Sequence, residues 1–302
     1  MIKDYEKLVN EIVFFMKKQA EEAHTNKSEI DISGGIDSAV VAALACKAFG
    51  PENVIGVYSG IHSSSESSRL AKLVAEKFGF HYVHLGLTGA YNVIVEAVKQ
   101  EFNRLGLTWP DEEKDPTVFG GLRSCLRAPV GRFINRAFGG GIRQGTGNRD
   151  EDELIRFYQK GGDGEVDCNW IEGLFKSEVW ELAKYLGVPQ EIIDAKPTPD
   201  LWGSGKTHND EDELKAITGV DLTYTRPGKE MGTIEWASRE NRKNGCITGV
   251  RADWEELSDL GYTEKEVNVI KALRKMEKAT RHKAEMPPML NREYLIDIGA
   301  VE

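Results

Sequence analysis

The segment Ser33–Ser38, with the sequence SGGIDS, constrains this chain more than any other feature. It follows Glu29–Ile32, which predicts a short strand, and it leads into Ser38–Phe49, whose apolar run predicts a buried helix. Two adjacent glycines permit a tight turn, and a helix N-terminus adds free N–H donors with a partial positive charge. The loop therefore predicts a cradle for a phosphate or pyrophosphate. The alternative is a glycine-rich turn whose serine only caps the helix.

Asp37 distinguishes this loop from ordinary phosphate-binding loops. A carboxylate repels a phosphate unless a cation lies between them, so Asp37 is a candidate Mg²⁺ ligand. The GxxxxGKS pattern of P-loop proteins is absent, because no lysine follows at its position. The candidate phosphate-binding residues are Ser33, Gly34, Gly35, Asp37 and Ser38.

Strand and helix patterns alternate along the first part of the chain. The β-branched apolar run Asn53–Tyr58 and the segment His81–Leu85 predict two further strands, each followed by a helical pattern. This alternation predicts an α/β fold with a Rossmann-like parallel sheet and helices on both faces. We expect a single domain with an extended C-terminal segment. Its parts are a core (1–222), a polar insertion (223–251) and a C-terminal helix and tail (252–302).

The composition excludes several classes of protein. The 302 residues include 39 basic and 49 acidic side chains, a net charge of −10, which argues against a general nucleic-acid binder. No signal peptide pattern and no apolar run long enough to span a membrane are present. The 4 cysteines are far apart and form no CxxC pair, which favours reduced thiols over a zinc site. We therefore expect a cytoplasmic protein with neither a nucleic-acid nor a membrane partner.

The SGGIDS loop resembles the SGGxDS loop of the N-type ATP pyrophosphatases, within the adenine nucleotide alpha hydrolase superfamily. In that superfamily the loop binds the pyrophosphate group of ATP while an oxygen atom of the acceptor is adenylated. Other segments resemble one member of it, the ammonia-dependent NAD synthetases, in the same order along the chain. These segments are Leu122–Arg127, Gly145–Glu151 (beginning GTGN), Lys160–Gly164, Leu174–Lys176, Pro197–Leu201, Asp210–Leu214 and Arg281–Lys283.

The resemblance implies amidation of deamido-NAD⁺ by ammonia, through an adenylated carboxylate, with ATP as co-substrate and release of AMP and pyrophosphate. It implies Mg²⁺ held by Asp37 and Glu151, and catalytic roles for Asp37, Lys176 and Asp163. The implied ATP-binding residues are Ser33, Gly34, Gly35, Asp37, Ser38, Arg127, Thr146, Lys176 and Thr198. The implied acceptor-binding residues are Arg123, Asp163, Asp167, Asp200, His282 and Lys283.

The chain departs from the family pattern in several places. Arg143 and Gln144 interrupt the apolar run before GTGN, so they predict a weak strand there. One extra residue precedes the GGDG turn, so Glu151 and Glu153 compete for the metal-ligand role, and we favour Glu151 because its spacing from Gly145 matches the family. The polar segment 223–251 predicts irregular structure, either a solvated surface insertion or a lid over the acceptor.

The ammonia donor, the oligomeric state and the acceptor are expectations of the same resemblance. About 30 residues precede the loop, too few for a glutaminase domain, so we expect free ammonia or a separate subunit as the donor. The family forms homodimers, and we expect one here. The alternatives are an N-type ATP pyrophosphatase that amidates or thiolates another acceptor, and a nucleotide-binding module without turnover.

Overall fold

Four parallel strands form the sheet on which the rest of the chain is built. They are β1 (Ser28–Asp31), β2 (Val54–Gly60), β3 (His81–Gly86) and β4 (Ile142–Gln144). Their order across the sheet is β3-β2-β1-β4, and each neighbouring pair is parallel. The predicted α/β fold with a parallel sheet is confirmed.

Helices flank this sheet. The computed structural model describes residues 2–195, 209–249, 257, 259–286 and 288–302. The helices in these ranges are α1 (Tyr5–Glu22), α2 (Ile36–Phe49), α3 (Ser65–Phe78), α4 (Thr88–Leu105), α5 (Pro116–Ala137), α6 (Arg149–Asp152), α7 (Lys176–Leu186), α8 (Gln190–Asp194), α9 (Asp210–Thr218), α10 (Thr233–Asn244), α11 (Glu264–Ala284) and α12 (Arg292–Asp297). None of them is long and apolar enough to cross a membrane.

The main hydrophobic core lies on one face of the sheet. Helices α1, α2, α3, α7 and α8 contribute buried side chains to it, together with Ile30 and Ile32. Helix α2 is buried on most of its sides, as its apolar sequence predicts. Helix α5 packs against the sheet at β1 and β2 and contacts α4. Side chains alternate between the two faces along a strand, so Glu29 and Asp31 point away from Ile30.

The order of the strands reverses at β1. From β1 the chain continues to β2 and β3 in one direction, whereas β4 pairs with the opposite side of β1. The loops that follow β1 and β4 therefore diverge, and in open α/β sheets ligands bind at such a switch point, at the carboxyl ends of the strands. The SGGIDS loop follows β1 and the segment Gly145–Asn148 follows β4. Both sequence motifs consequently border the same crevice.

A second hydrophobic cluster unites the C-terminal elements. Buried side chains of α9, α10 and α11 meet Leu154 and Ile155, which follow α6. Helix α11 begins after Thr263, whose side chain accepts a hydrogen bond from the Glu266 N–H while the Glu266 carboxylate accepts one from the Thr263 N–H. This is the reciprocal cap that a threonine with a glutamate three residues later predicts.

The expectation of irregular structure in the segment 223–251 is wrong for its described part, 223–249. Residues 233–244 form α10, and Tyr224, Ile234 and Ala237 are at most 3% exposed. The charged residues of α10 obscured the helical spacing of its apolar positions, which pack into the second cluster. Packing of this kind does not fit a solvated insertion.

The strand β4 brings a charged side chain into the centre of the sheet. Arg143 is 1% exposed and donates from Nη1 to both carboxylate oxygens of Glu29 at 2.8 Å, and from Nη2 to Asp31. Glu29 is also the register partner of Arg143 in the β1–β4 ladder. Gly131 of α5 makes room for the guanidinium, since a Cβ atom there would collide with it. Because the charge is paired, a strand forms despite Arg143 and Gln144, but it is short, with the 3 buried residues Ile142–Gln144.

Replacement of Arg143 by methionine should destabilise the protein strongly. Arg143→Met leaves the buried carboxylate of Glu29 without its partner and also removes the partner of Asp31, which costs about 3–5 kcal/mol of unfolding free energy. Urea unfolding measures the loss. The control is Arg136→Met, at an exposed position of α5, which should cost less than about 0.5 kcal/mol. Equal losses for the two variants would contradict this account of β4.

Candidate active site

A cavity of about 1080 Å³ opens at the carboxyl edge of the sheet, beside β1 and β4. The SGGIDS loop and Asp31 line one part of it, and Thr146, Glu151, Asp163 and Lys176 line another. Small-molecule sites usually measure about 300–1,000 Å³, so this cavity is large enough for a nucleotide.

The conformation of the SGGIDS loop requires its first glycine. Gly34 has a φ of +86°, and a Cβ atom there would lie 2.5 Å from the carbonyl oxygen of Ser67. The Gly35 N–H donates to Ser33 Oγ at 3.1 Å, and Ser38 Oγ donates to the Gly35 carbonyl at 3.0 Å. Gly35 is the N-cap of α2 and offers no side chain to its first turn. The N–H groups of that turn are therefore available to an anionic ligand.

A lysine between two carboxylates forms the charged centre of the cavity. Lys176 is 2% exposed, and its Nζ donates to Asp37 Oδ2 at 2.5 Å and to Glu151 Oε1 at 2.9 Å. Asn148 Nδ2 donates to the other oxygen of Asp37 at 3.0 Å. Asn148 Oδ1 also accepts the N–H groups of Asp150 and Glu151, so this residue joins the loop after β4 to the SGGIDS loop.

Burial and ion pairing shift the pKa values of this charged centre in opposite directions. Burial disfavours the charged form of Lys176, but the carboxylates of Asp37 and Glu151 outweigh it and raise the lysine pKa above its usual range. Burial also raises the pKa of Glu151, against the influence of Lys176. Lys176 is therefore a fixed positive charge at neutral pH, at the end of the cavity where the glycine loop lies.

The structure separates the two glutamates that competed for the metal-ligand role. Glu151 contacts Lys176 beside Asp37. Glu153 instead pairs with Arg149 and accepts a hydrogen bond from Ser238 Oγ at 3.0 Å. Only Glu151 thus shares a partner with Asp37. In the described part of the chain no three His, Cys, Asp or Glu side chains are grouped as metal ligands. Asp37 and Glu151 are instead a pair of carboxylates joined by their contact with Lys176, and we call them the two-carboxylate set.

Asp163 and Arg127 occupy another wall of the cavity. Asp163 Oδ1 accepts hydrogen bonds from Ser124 Oγ at 2.7 Å and from the Gln159 N–H at 2.8 Å. Arg127 Nε donates to the carbonyl oxygen of Ser59 at 3.1 Å. Both side chains line the cavity, as does Thr146.

Three of the expected acceptor-binding residues are engaged elsewhere. Arg123 is buried, pairs with Glu112 and lies 5.1 Å from the Tyr91 ring centroid. Asp167 accepts hydrogen bonds from Arg132 Nη1 and the Arg143 N–H, both at 2.8 Å, and so holds β4. The ring of His282 is exposed and contacts the Ala279 carbonyl. None of the three is among the described residues that line the cavity.

Lys283 does line the cavity, yet its ammonium group already has protein partners. Its Nζ donates to the carbonyl oxygens of Arg156 at 2.9 Å and Tyr158 at 2.5 Å. Lys283 therefore ties the end of α11 to the segment between α6 and Asp163. Two further candidates, Thr198 and Asp200, lie outside the described residues.

Sequence reasoning missed three residues of the charged centre. Asn148 belongs to the GTGN segment, which could have signalled its role. Asp210 is buried near Glu151 and Lys176, and burial raises the pKa of its carboxyl to about 8. Tyr224 lies in the segment expected to be irregular, and its ring centroid is 5.3 Å from Lys176 Nζ. No local pattern in the sequence marked Tyr224.

Comparison with known proteins identifies the family to which the chain belongs. Residues 8–224 match the family model described as NAD synthase. The chain belongs to the NAD synthase family. An NH(3)-dependent NAD(+) synthetase of Methanosarcina acetivorans is 30% identical over 292 residues, which span 95% of this chain and 98% of that protein. One of Thermococcus kodakarensis is 38% identical over 211 residues, 70% of this chain and 76% of that protein.

Solved structures of two synthetases share this fold. An NMN synthetase from Francisella tularensis superposes with a TM-score of 0.71 at 20% identity, covering 96% of this chain and 100% of that one. An NH3-dependent NAD synthetase from Campylobacter jejuni gives a TM-score of 0.67 at 18% identity, with the same coverage. The family resemblance predicted from the sequence motifs is thus confirmed, and the structural likeness extends to the fold.

Proposed function

We propose that this member of the NAD synthase family makes NAD⁺ from deamido-NAD⁺, ATP and ammonia, releasing AMP and pyrophosphate. The observation that carries the proposal is the placement of Lys176 between Asp37 and Glu151, beside the SGGIDS loop and inside a cavity of nucleotide size. Curated relatives named NH(3)-dependent NAD(+) synthetase that span nearly the whole chain support it.

The first step is adenylation of the acceptor. A carboxylate oxygen of deamido-NAD⁺ attacks the α-phosphorus of ATP, the bond to the β-phosphate oxygen breaks, and pyrophosphate leaves. On this proposal the first-turn N–H groups of α2 and the ammonium group of Lys176, which border the cavity, stabilise the negative charge that develops on the departing pyrophosphate.

The two-carboxylate set fits a magnesium ion that arrives with ATP. Mg²⁺ is usually held by one or two carboxylates together with substrate phosphates, rather than by a complete protein cage. Asp37 and Glu151 supply oxygen donors of this kind and already share a cation, the ammonium group of Lys176. When bound, Mg²⁺ would neutralise charge on the ATP phosphates.

The second step is attack of ammonia on the acyl carbon of the adenylate, with AMP as the leaving group and loss of one proton from nitrogen. We assign Asp163 to the part of the cavity where ammonia binds. Its Oδ1 is used by Ser124 and Gln159, while Oδ2 accepts no hydrogen bond from the described residues. Oδ2 can therefore accept a hydrogen bond from ammonia and orient its lone pair. Exclusion of water would protect the adenylate from hydrolysis.

Activity with defined substrates tests the proposal. We expect the purified protein to form NAD⁺ and pyrophosphate in equal amounts from deamido-NAD⁺, ATP and ammonium, and to form almost none when glutamine replaces ammonium. Chromatographic measurement of NAD⁺ with enzymatic detection of pyrophosphate gives both yields. Nicotinic acid mononucleotide serves as the competing acceptor. A higher kcat/KM for that mononucleotide than for deamido-NAD⁺, or turnover with glutamine free of ammonia, would overturn the assignment.

Substitution of the carboxylates separates the metal ligands from their neighbours. Asp37→Asn and Glu151→Gln each remove a charge that would hold Mg²⁺, and we expect kcat to fall by at least about a hundredfold. Glu153→Gln alters a carboxylate bound to Arg149 and Ser238, so its kcat should stay within about threefold of the wild type. Pyrophosphate release measures all three. A larger loss for Glu153→Gln than for Glu151→Gln would contradict the metal assignment.

We further propose that the chain forms a homodimer through α4. Ile94, Val98 and Leu105 recur at helical spacing on this helix and are 36%, 43% and 58% exposed, which makes an apolar stripe.

Val98→Lys places a charge in this stripe and should convert the dimer to a monomer in multi-angle light scattering. The control Gln100→Lys, at an exposed polar position of the same helix, should leave the dimer intact. A monomeric wild type, or a dimeric Val98→Lys, would exclude this interface.

A further inference from the structure

Tyr224 reaches the charged centre from the protein side rather than from the cavity. Its ring centroid lies 5.3 Å from Lys176 Nζ, and the residue is 3% exposed. It is not among the described residues that line the cavity. Tyr224 is therefore not part of the described cavity wall, and we expect its influence on the reaction to pass through Lys176.

The aromatic ring of Tyr224 faces an ammonium group that the two carboxylates satisfy only in part. An ammonium group has three N–H donors, and those of Lys176 reach Asp37 Oδ2 and Glu151 Oε1. For the remaining donor, no oxygen acceptor occurs in the ranges that the structure describes. The face of an aromatic ring within about 6 Å attracts a cation, most strongly where water is excluded.

The hydroxyl group of Tyr224 takes no part in this contact. Its oxygen is buried and has no hydrogen-bond partner among the described residues. A buried hydroxyl without a partner adds nothing to stability, and its removal is expected to be neutral or favourable. The aromatic face is therefore the part of Tyr224 that acts on Lys176.

Hydrogen bonds fix the backbone of Tyr224. Its N–H donates to Glu211 Oε1 at 2.9 Å. The preceding residue, Thr223, exchanges hydrogen bonds with Thr233 at the start of α10, at 2.8 and 3.1 Å. The ring thus sits on a segment anchored at α9 and at α10.

Helix α10 in turn packs against the residues that carry Glu151 and Lys176. Ser238 Oγ donates to Glu153 at 3.0 Å, immediately after α6. The guanidinium of Arg239 lies 4.3 Å from the ring centroid of Phe175, the residue before Lys176. The segment 223–249 is consequently packed against the elements that carry the charged centre.

We propose that Tyr224 is a positioning residue whose aromatic face holds the ammonium group of Lys176 at the phosphate end of the cavity, which is the end beside the SGGIDS loop. The inference rests on the proposed function, in which Asp37 and Glu151 are shared with the magnesium ion of ATP. Their hold on Lys176 then weakens, and the ring remains its unchanged neighbour. The segment 223–249 is on this account a fixed support for Lys176, in place of the lid considered from the sequence.

A series of isosteric rings at position 224 tests the proposal. The variants are Tyr224→Phe and the replacement of Tyr224 by 4-fluoro-, 3,5-difluoro- and 3,4,5-trifluorophenylalanine, which weaken the attraction for a cation in steps at nearly constant shape. We expect Tyr224→Phe to bind ATP within about twofold of the wild type, and the trifluoro variant to bind it about fivefold to tenfold more weakly than Tyr224→Phe, with a parallel fall in kcat. Calorimetric titration with ATP and magnesium gives the affinities.

Two controls separate positioning from folding. The melting temperature should be the same across the series, and the same fluorinated residues in place of Phe102, which packs on Trp109, should leave ATP affinity unchanged. An ATP affinity that does not change along the series at position 224 would overturn the proposal.

The proposed function fails separately from this inference. If the wild type forms no NAD⁺ while its ATP affinity still follows ring fluorination, the acceptor is wrong and the role of Tyr224 stands. If it forms NAD⁺ while the affinity series is flat, the role of Tyr224 is wrong. A wild type that binds no ATP overturns both.

Discussion

The arrangement of the candidate site depends on the two ion pairs that Lys176 forms with Asp37 and Glu151. They join three elements that are distant in the sequence: the SGGIDS loop after β1, the short helix α6 after β4, and the first residue of α7. A buried ammonium group is tolerated only when it is paired, and removal of one partner leaves an uncompensated charge. The same three charges that are proposed to bind ATP and its metal therefore also hold the loops of the cavity together.

A second charged cluster supports this arrangement from inside the sheet. Arg143 of β4 joins Glu29 and Asp31 of β1, directly before the two loops that carry Asn148 and Asp37. The switch point lies between β1 and β4, so the pairing of these two strands sets the relative position of the loops that border the crevice. In this chain charged side chains secure that pairing on the α5 side, where Gly131 leaves room for the guanidinium.

The sequence predicted the features that depend on neighbouring residues. The glycine turn, the buried helix that follows it and the cap at Thr263 follow from local patterns, and the structure has all three. The grouping of Asp37, Glu151 and Lys176 followed from motif resemblance, since their side chains meet only in the fold.

Features that depend on distant partners were missed or misjudged. The strand at Arg143 is expected to be poor from the sequence because Glu29, the partner that neutralises the arginine, is more than a hundred residues away. The pairing of Arg123 with Glu112 and of Asp167 with Arg132 could not be foreseen, because Glu112 and Arg132 carry no motif. The helix α10 looked irregular because its charges mask a narrow apolar stripe.

The central claim is that Asp37 and Glu151 form one cation site with Lys176 at the phosphate end of the cavity. Its most direct test is a crystal structure with Mn²⁺ and a non-hydrolysable ATP analogue, with the metal located by its anomalous scattering. The account predicts one anomalous peak bonded to a carboxylate oxygen of Asp37, a carboxylate oxygen of Glu151 and the phosphates, with Lys176 Nζ against the phosphates. A peak bonded to Glu153, or phosphates placed away from Lys176, would contradict it.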